Sequence, residues 1–148
     1  MVHGSHRDHR HHDQLAALAA LAAQVAEVQA RVLKHAEDLD VPGATGAAST
    51  ATWHAHRTRT TRPAAHRAMR LATALETHDL TRAALAEGRV HLEQAEAILH
   101  ALAELPADLD PALVARAETY LLADAAHHDA KGLKILGRRI LETIDPDA

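Results

Sequence analysis

The chain has 148 residues; about a quarter are alanine, phenylalanine and cysteine are absent, and there is one tryptophan and one tyrosine. Alanine favours helices, and strand-forming aromatic residues are scarce, so the composition predicts an all-α fold of about seven helices. The absence of cysteine excludes disulfides and zinc–thiolate sites, and no segment resembles a secretory signal or approaches the roughly 20 apolar residues of a membrane span, so we expect a cytoplasmic protein without a cofactor.

The net charge of −4 is unevenly distributed along the chain. Residues 1–40 carry four basic and six acidic side chains, and residues 76–148 carry seven basic and fourteen acidic ones. Residues 41–75 carry five arginines and no acid, so the three local charges of −2, +5 and −7 sum to −4. An acid-free window inside an acidic chain indicates a local anionic partner.

The first thirteen residues, "MVHGSHRDHRHHD", show no hydrophobic periodicity. We therefore expect residues 1–13 to form a disordered, His-rich tail. Metal sites need ligands that are fixed in space, so we expect no metal site here, although five histidines lie in this segment: His3, His6, His9, His11 and His12.

Residues 14–39 are predicted to form a long helix. Its apolar residues repeat at alternating spacings of three and four, with one polar interruption at His35, and they are Leu18, Leu21, Val25, Val28, Val32 and Leu39. A 3.5-residue repeat is typical of a two-helix supercoil. Packing of this seam inside the chain is the favoured interpretation, and a homodimer through Leu18, Leu21, Val25, Val28 and Val32 is the alternative.

Residues 40–49 contain Pro42, Gly43 and Gly46 and are predicted to be a linker to a helical bundle over residues 50–148. Together, residues 14–148 are predicted to form a single all-helical domain. The bundle begins with a short helix over residues 50–58, capped by Ser49 or Thr50, and continues with a helix over residues 62–77. The inward stripe of this second helix is predicted to be Ala64, Ala68, Leu71, Ala72 and Leu75. Four further helices are predicted, with caps at Asp79, His91, Asp110 and Asp129.

The two helices around "RTT" suggest a helix-turn-helix-like unit, in which the second helix enters the major groove of DNA. Arginine side chains can donate paired hydrogen bonds to guanine edges and to phosphates. The candidate nucleic-acid-binding residues are Arg57, Arg59, Arg62, His66, Arg67, Arg70 and Thr73. The alternative is that these arginines form a solvated face that is salt-bridged to the acidic C-terminal half.

Other segments are weaker candidates for a functional site. The helix after Gly88 carries Glu93, Glu96 and Glu104, which would repel phosphates. Basic residues near the C-terminus are interpreted as compensating a helix dipole, and they are Lys131, Lys134, Arg138 and Arg139. There is no nucleophile elbow, phosphate loop or other catalytic motif, so we assign no catalytic or metal-binding residues.

Several segments resemble the actinobacterial "domain of unknown function 222" family over residues 15–147, including "AMRLATALE" and "LTRAALAEGRVHLEQAEAIL". The resemblance rests on Trp53, Ala68, Leu75, Leu85, Gly88, Gln94, Ala95, Leu105, Pro106, Asp145 and Pro146. It implies an all-α, non-catalytic domain that typically precedes an HNH endonuclease domain and helps it act on DNA. That nuclease domain would lie beyond Ala148, so the resemblance leaves open whether the whole protein is an enzyme.

Overall fold

The computed structural model describes residues 5–147, with side chains from Arg7 onward, and this part of the chain confirms the predicted all-α fold. It contains eight helices and no strand. They are α1 (Ser5–Asp38), α2 (Val41–Ala44), α3 (Thr50–Thr58), α4 (Arg62–Thr77), α5 (Asp79–Ala86), α6 (Leu92–Ala103), α7 (Pro111–Asp124) and α8 (Ala130–Ile144).

Most helices of the bundle begin at side chains that accept a hydrogen bond from the first turn. Ser49 accepts from the Thr52 amide and Thr61 accepts from the Ala64 amide. Asp110 and Asp129 cap α7 and α8 in the same way. The prediction for Asp79 is wrong, because His78 occupies the cap position of α5 and makes no side-chain cap hydrogen bond.

The N-terminal segment differs from the prediction of a disordered tail. Helix α1 begins at Ser5 rather than at residue 14, so Ser5–Asp13 is helical. No glycine or proline follows Gly4 until Pro42, and Asp8 in the first turn complements the helix dipole, so the alanine-rich helix propagates toward the N-terminus. Residues 1–4, which include His3, and the side chain of His6 lie outside the described residues.

The predicted linker over residues 40–49 also contains structure. Val41–Ala44 form the short helix α2, with Pro42 in its first turn and Asp40 in the left-handed conformation. The backbone carbonyl of Pro42 accepts hydrogen bonds from the amides of Thr45 and Ala47, which closes this turn. The segment is therefore a tight connection between α1 and α3.

Helix α1 packs on the bundle through a stripe of mostly small residues. Ala23, Glu27, Ala30 and Leu33 are buried, and α1 contacts α4 and α5 along this side. The close approach extends to Gly88, where an added Cβ would lie 2.8 Å from the Cβ of Ala20. Because alanine has so little side chain, the helices can lie near each other and leave bulkier residues on the opposite side.

The predicted intramolecular packing of the heptad seam is wrong. The seam faces solvent, and its side chains are 47–61 % exposed: Leu18, Leu21, Val25, Val28 and Val32. The physical reason is the second, alanine-based stripe of α1, which makes the contact with the bundle instead. Helix α1 thus has two apolar sides, of which the chain itself covers one.

The core of the bundle lies among α4 to α8. Its largest fully buried side chains include Leu75, Leu85, Ile98, Leu121 and Leu133. Helices α6 and α8 pack closely because α8 has a glycine at the crossing: a Cβ on Gly137 would lie 2.5 Å from that of Ala101. This core fixes α4, and therefore the candidate nucleic-acid-binding residues, relative to the rest of the chain.

By length and composition alone, α1 could cross a membrane, and it is the one helix in the described part of the chain that could. The expectation that no segment approaches a membrane span is corrected to that extent. The same helix carries Glu27 on its packed side, where the buried carboxylate pairs with Arg31 Nε at 2.8 Å.

Candidate nucleic-acid interface

The segment from α3 to α4 has the predicted two-helix form, with three residues between the helices. Arg59 closes α3 in the left-handed conformation, and the Thr60 amide donates to the Ala55 carbonyl. Thr61 then caps α4, whose first turn contains Pro63. This turn sets the direction of the first residues of α4, which are the base-contacting positions in helix-turn-helix proteins.

Small side chains hold the two helices together. Ala51 and Ala55 of α3 pack on Ala65 of α4, and Met69 lies against this cluster. The sequence analysis placed Ala64 on the inward stripe, but Ala64 is exposed and Ala65 is fully buried. The alanine contact turns α4 so that its arginine-bearing side faces away from α3.

The outward side of α4 carries the central group of predicted site residues. Arg62, His66, Arg70 and Thr73 are all exposed, at spacings of four, four and three that place them along one face of the helix. No ion pair joins Arg62 or Arg70 to any of the described residues. Their guanidinium groups therefore face solvent with unneutralised charge. We call Arg62, His66, Arg70 and Thr73 the α4 ridge.

Arg67 is held differently from its neighbours. Its Nε donates to Glu96 Oε1 of α6 at 2.7 Å, and its Nη2 donates to Glu96 Oε2. This paired hydrogen bond with Glu96 raises the pKa of Arg67, and the charge of the same carboxylate adds to the effect. Salt-bridging to the acidic half of the chain, the alternative interpretation of the arginine face, is therefore present at Arg67.

The two predicted residues that precede α4 lie apart from each other. Arg59 ends α3 and stands beside the ridge, with its backbone at φ 57°. Arg57 instead lines a groove between α1 and α3, together with Val28 and Trp53. Neither arginine forms an ion pair with the described residues. Four of the seven predicted residues thus share the exposed face of α4, while Arg57 lines the groove between α1 and α3 and Arg67 pairs with Glu96.

The second basic stripe, on α8, does not lie at the C-terminal end of that helix as predicted. Lys131 lies in the first turn of α8, Lys134 follows one turn later, and the last turn has no basic residue. The predicted compensation of the dipole at the helix C-terminus is therefore wrong for all four residues of this stripe. Lys134 and Arg138 line a depression that also contains Arg67, but Glu93, Glu96 and Glu104 line the same depression. Its mixed charge suits a polyanion less well than the ridge does.

One buried polar cluster was not predicted from the sequence. Glu118 of α7 is buried and accepts hydrogen bonds of 2.8 Å from both the amide and the hydroxyl of Thr81 in α5. His78 Nδ1 lies 3.8 Å from its other oxygen. Glu118 therefore caps α5 from another helix, and the one available signal was the poor capping ability of His78. No buried side-chain oxygen or nitrogen of this cluster lacks a partner, so the cluster is structural.

No metal site is present among the described residues, where no three His, Asp or Glu side chains converge. The segment "HHD" at residues 127–129 ends in Asp129, whose side chain caps α8 by accepting a hydrogen bond from the Gly132 amide at 2.9 Å. His54 is buried and His56 is exposed, so these two side chains point to different sides of α3.

Comparison with known proteins identifies a family. The family model described as "Domain of unknown function (DUF222)" matches residues 12–148, which agrees with the resemblance found in the sequence. No curated protein and no solved structure matches the chain.

Proposed function

The chain belongs to the DUF222 family, and from that premise we propose that it binds double-stranded DNA through the α4 ridge. The observation that carries the proposal is a set of exposed arginines without internal partners in an acid-free part of the sequence. Arg59, Arg62 and Arg70 have no carboxylate partner in the described structure, and residues 41–75 contain no acid. Placing such groups beside phosphates costs little free energy, because no internal ion pair has to be broken first.

The shape of the unit supports a position in the major groove. A short helix, a three-residue turn and a longer helix with exposed first turns are the elements that helix-turn-helix proteins use. Arg62 and His66 would lie nearest the base edges, and Arg59 with Thr73 would lie nearer the phosphates. Since phosphate contacts position a protein while base contacts specify sequence, most of the affinity would come from charge.

The wider role we infer is DNA positioning. The family resemblance implies a helical, non-catalytic domain that accompanies an HNH endonuclease domain, and a module with a basic ridge would suit that task. We expect it to act in the cytoplasm. A protein-interaction module with no nucleic-acid role is the second candidate, favoured by the exposed seam of α1.

The test compares two arginine pairs. Binding of a fluorescent 20-base-pair duplex is measured by anisotropy at low salt for the wild type and for Arg62→Ala/Arg70→Ala. We expect the double variant to bind about 10- to 100-fold more weakly, since each lost phosphate or base contact removes about 1 kcal/mol or more. The matched control is Arg138→Ala/Arg139→Ala, which removes the same charge from exposed positions on α8.

The control should lose less than threefold in affinity. Equal losses in the two double variants would mean that net charge alone attracts the duplex and would contradict a site on α4. Absence of duplex binding by the wild-type chain at low salt would refute the proposed function and favour the protein-interaction alternative.

A further inference from the structure

The outward side of α1 is apolar along most of its length. The seam from Leu18 to Val32 is 47–61 % exposed, and it extends at both ends into Leu15 and Leu39, which are also exposed. From Leu15 to Leu39 the strip is about 36 Å long at 1.5 Å per residue. Scattered exposed apolar residues are common in proteins, but a strip of this length, interrupted at His35, marks an interaction surface.

The N-terminal third of α1 has no covering element within the described chain. Residues 7–18 are exposed on every side of the helix, and the helix reaches the bundle only from Ala19 onward. A helix of this length gains little stability in water by itself, because helical segments in proteins depend on packing of an apolar face. A second helix against the seam would supply that packing.

We propose that this surface is filled by a second copy of the chain, in a homodimer whose α1 helices lie side by side. The 3.5-residue repeat is the first argument: the stripe that packs on the bundle is a different one, so the repeat is left for another helix. The residue types are the second argument: Val25 and Val32 at the first core position and Leu21 at the other fit two-stranded pairing, while Leu18, Val28 and His35 depart from that pattern. This inference is independent of DNA binding.

The residues that flank the seam allow the α1 helix of a second copy to pack against it. The flanking positions are mostly small or uncharged, and they are Ala17, Ala22, Gln24, Gln29 and Ala36, with Arg31 and Asp38 at the C-terminal end. Identical helices therefore bring few like charges together. A strip about 36 Å long and about 12 Å wide on each of two copies covers roughly 900 Å² in projection, close to the 1,000 Å² or more of specific interfaces.

Helix α3 extends the surface beside α1. Trp53 and Arg57 line an open groove with Val25, Val28 and Val32. Trp53 is partly buried against the core and would supply an aromatic contact at the edge of the dimer interface. Because α1 and α3 contact each other directly, the groove is preformed in each copy.

A lipid surface is the competing occupant, because α1 has the length and composition of a membrane-spanning helix. The opposite side of the helix argues against it. There α1 is attached to α4 and α5, and its buried Glu27 is paired with Arg31, so the helix cannot be surrounded by lipid without leaving the bundle.

The experiment measures the mass of the full chain by sedimentation equilibrium from 1 to 200 µM, without DNA. The wild type should approach twice 15.9 kDa as the concentration rises. Val25→Glu, at a position 60 % exposed in the single chain, should stay at the monomer mass and keep its helical circular dichroism. The matched control is Ile135→Glu on α8, which is 50 % exposed, does not lie on α1 and should dimerise like the wild type.

Three outcomes would overturn the proposal. The first is a wild-type chain that is monomeric at 200 µM, and the second is a Val25→Glu variant that still dimerises. The third is a monomer that floats with phosphatidylcholine–phosphatidylglycerol vesicles in a Val25-dependent way, which would assign the seam to a lipid surface. If Val25→Glu fails to fold, Val28→Lys replaces it, and the concentration dependence of the wild type stands as a test by itself.

Discussion

Glu118 is a buried polar side chain that makes two hydrogen bonds to another helix. It is buried, and one of its oxygens accepts from both the amide and the hydroxyl of Thr81, which is itself fully buried. Its two hydrogen bonds replace the side-chain cap that His78 does not supply to α5. Loss of the carboxylate would leave a buried amide and a buried hydroxyl without partners.

Glu118→Ala should therefore reduce the free energy of unfolding by about 2–4 kcal/mol, since each buried group left unsatisfied costs about 1–3 kcal/mol. Glu118→Gln keeps one acceptor oxygen at nearly the same volume, so its loss should be about half as large. Urea unfolding followed by circular dichroism measures both. Equal losses in the two variants would show that the negative charge of the carboxylate, which both substitutions remove, stabilises α5 rather than a single acceptor oxygen.

Glu96 controls how much of the arginine face is available. Its carboxylate holds Arg67 through a paired hydrogen bond, while Glu104 on the same helix lies 3.4 Å from His100 and contacts no arginine. Glu96→Gln removes the negative charge beside the ridge and releases Arg67.

We expect Glu96→Gln to bind duplex DNA about three- to tenfold more tightly than the wild type at low salt, a gain of about 1 kcal/mol. Glu104→Gln makes the same change in net charge and should alter the affinity by less than twofold. Anisotropy titrations of both variants provide the comparison. A weaker-binding Glu96→Gln variant would mean that the ion pair positions α4 for binding instead of masking Arg67.

Among the elements, α6 and α8 approach each other closely at Gly137. Gly137 is buried, and a Cβ there would lie 2.5 Å from the Cβ of Ala101, which has no torsion by which to move away. Alanine is normally the better helix former by about 1 kcal/mol, so helix propensity and packing oppose each other at this position.

Packing should prevail, and Gly137→Ala should destabilise the chain by about 1–2 kcal/mol as α6 and α8 are forced apart. Lys134→Ala, one turn earlier on the exposed side of α8, should change the unfolding free energy by less than about 0.5 kcal/mol. Thermal and urea unfolding measure both variants. Stabilisation by Gly137→Ala would show that the helices separate at little cost.

The helix boundaries show what local sequence signals can predict. Ser49, Asp110 and Asp129 cap helices where their residue types predict caps, and α4 has its predicted bounds because Thr61 and Pro63 act within one turn. The direction of the seam was not predictable in the same way. Helix α1 has two apolar stripes, and which of them meets the bundle depends on the shape of α4 and α5 rather than on α1 itself.

The candidate site shows the same division. Composition identified the acid-free arginine window, and helical spacing placed Arg62, His66 and Arg70 on one exposed side of α4. The partner of Arg67 lies 29 residues away on α6. This pairing depends on how the two helices pack, which the spacing of residues within α4 does not predict. The same holds for Glu118, whose partner Thr81 lies 37 residues away.

At the scale of the whole molecule, charge is segregated. The +5 window supplies α3 and α4, while the C-terminal part carries −7. In the described structure the two regions neutralise each other at Arg67 and Glu96 and leave the α4 ridge unpaired. An acidic molecule with one basic ridge would bind a polyanion in a single orientation, because its other surfaces repel phosphate.

The most direct test of this account is the salt dependence of duplex binding. For the wild type, the logarithm of the association constant should fall with the logarithm of salt concentration with a slope of about −3, as expected for three to four phosphate contacts. Arg62→Ala/Arg70→Ala should reduce that slope to about −1. A slope near zero for the wild type, or the same slope in both proteins, would contradict a phosphate-binding ridge on α4.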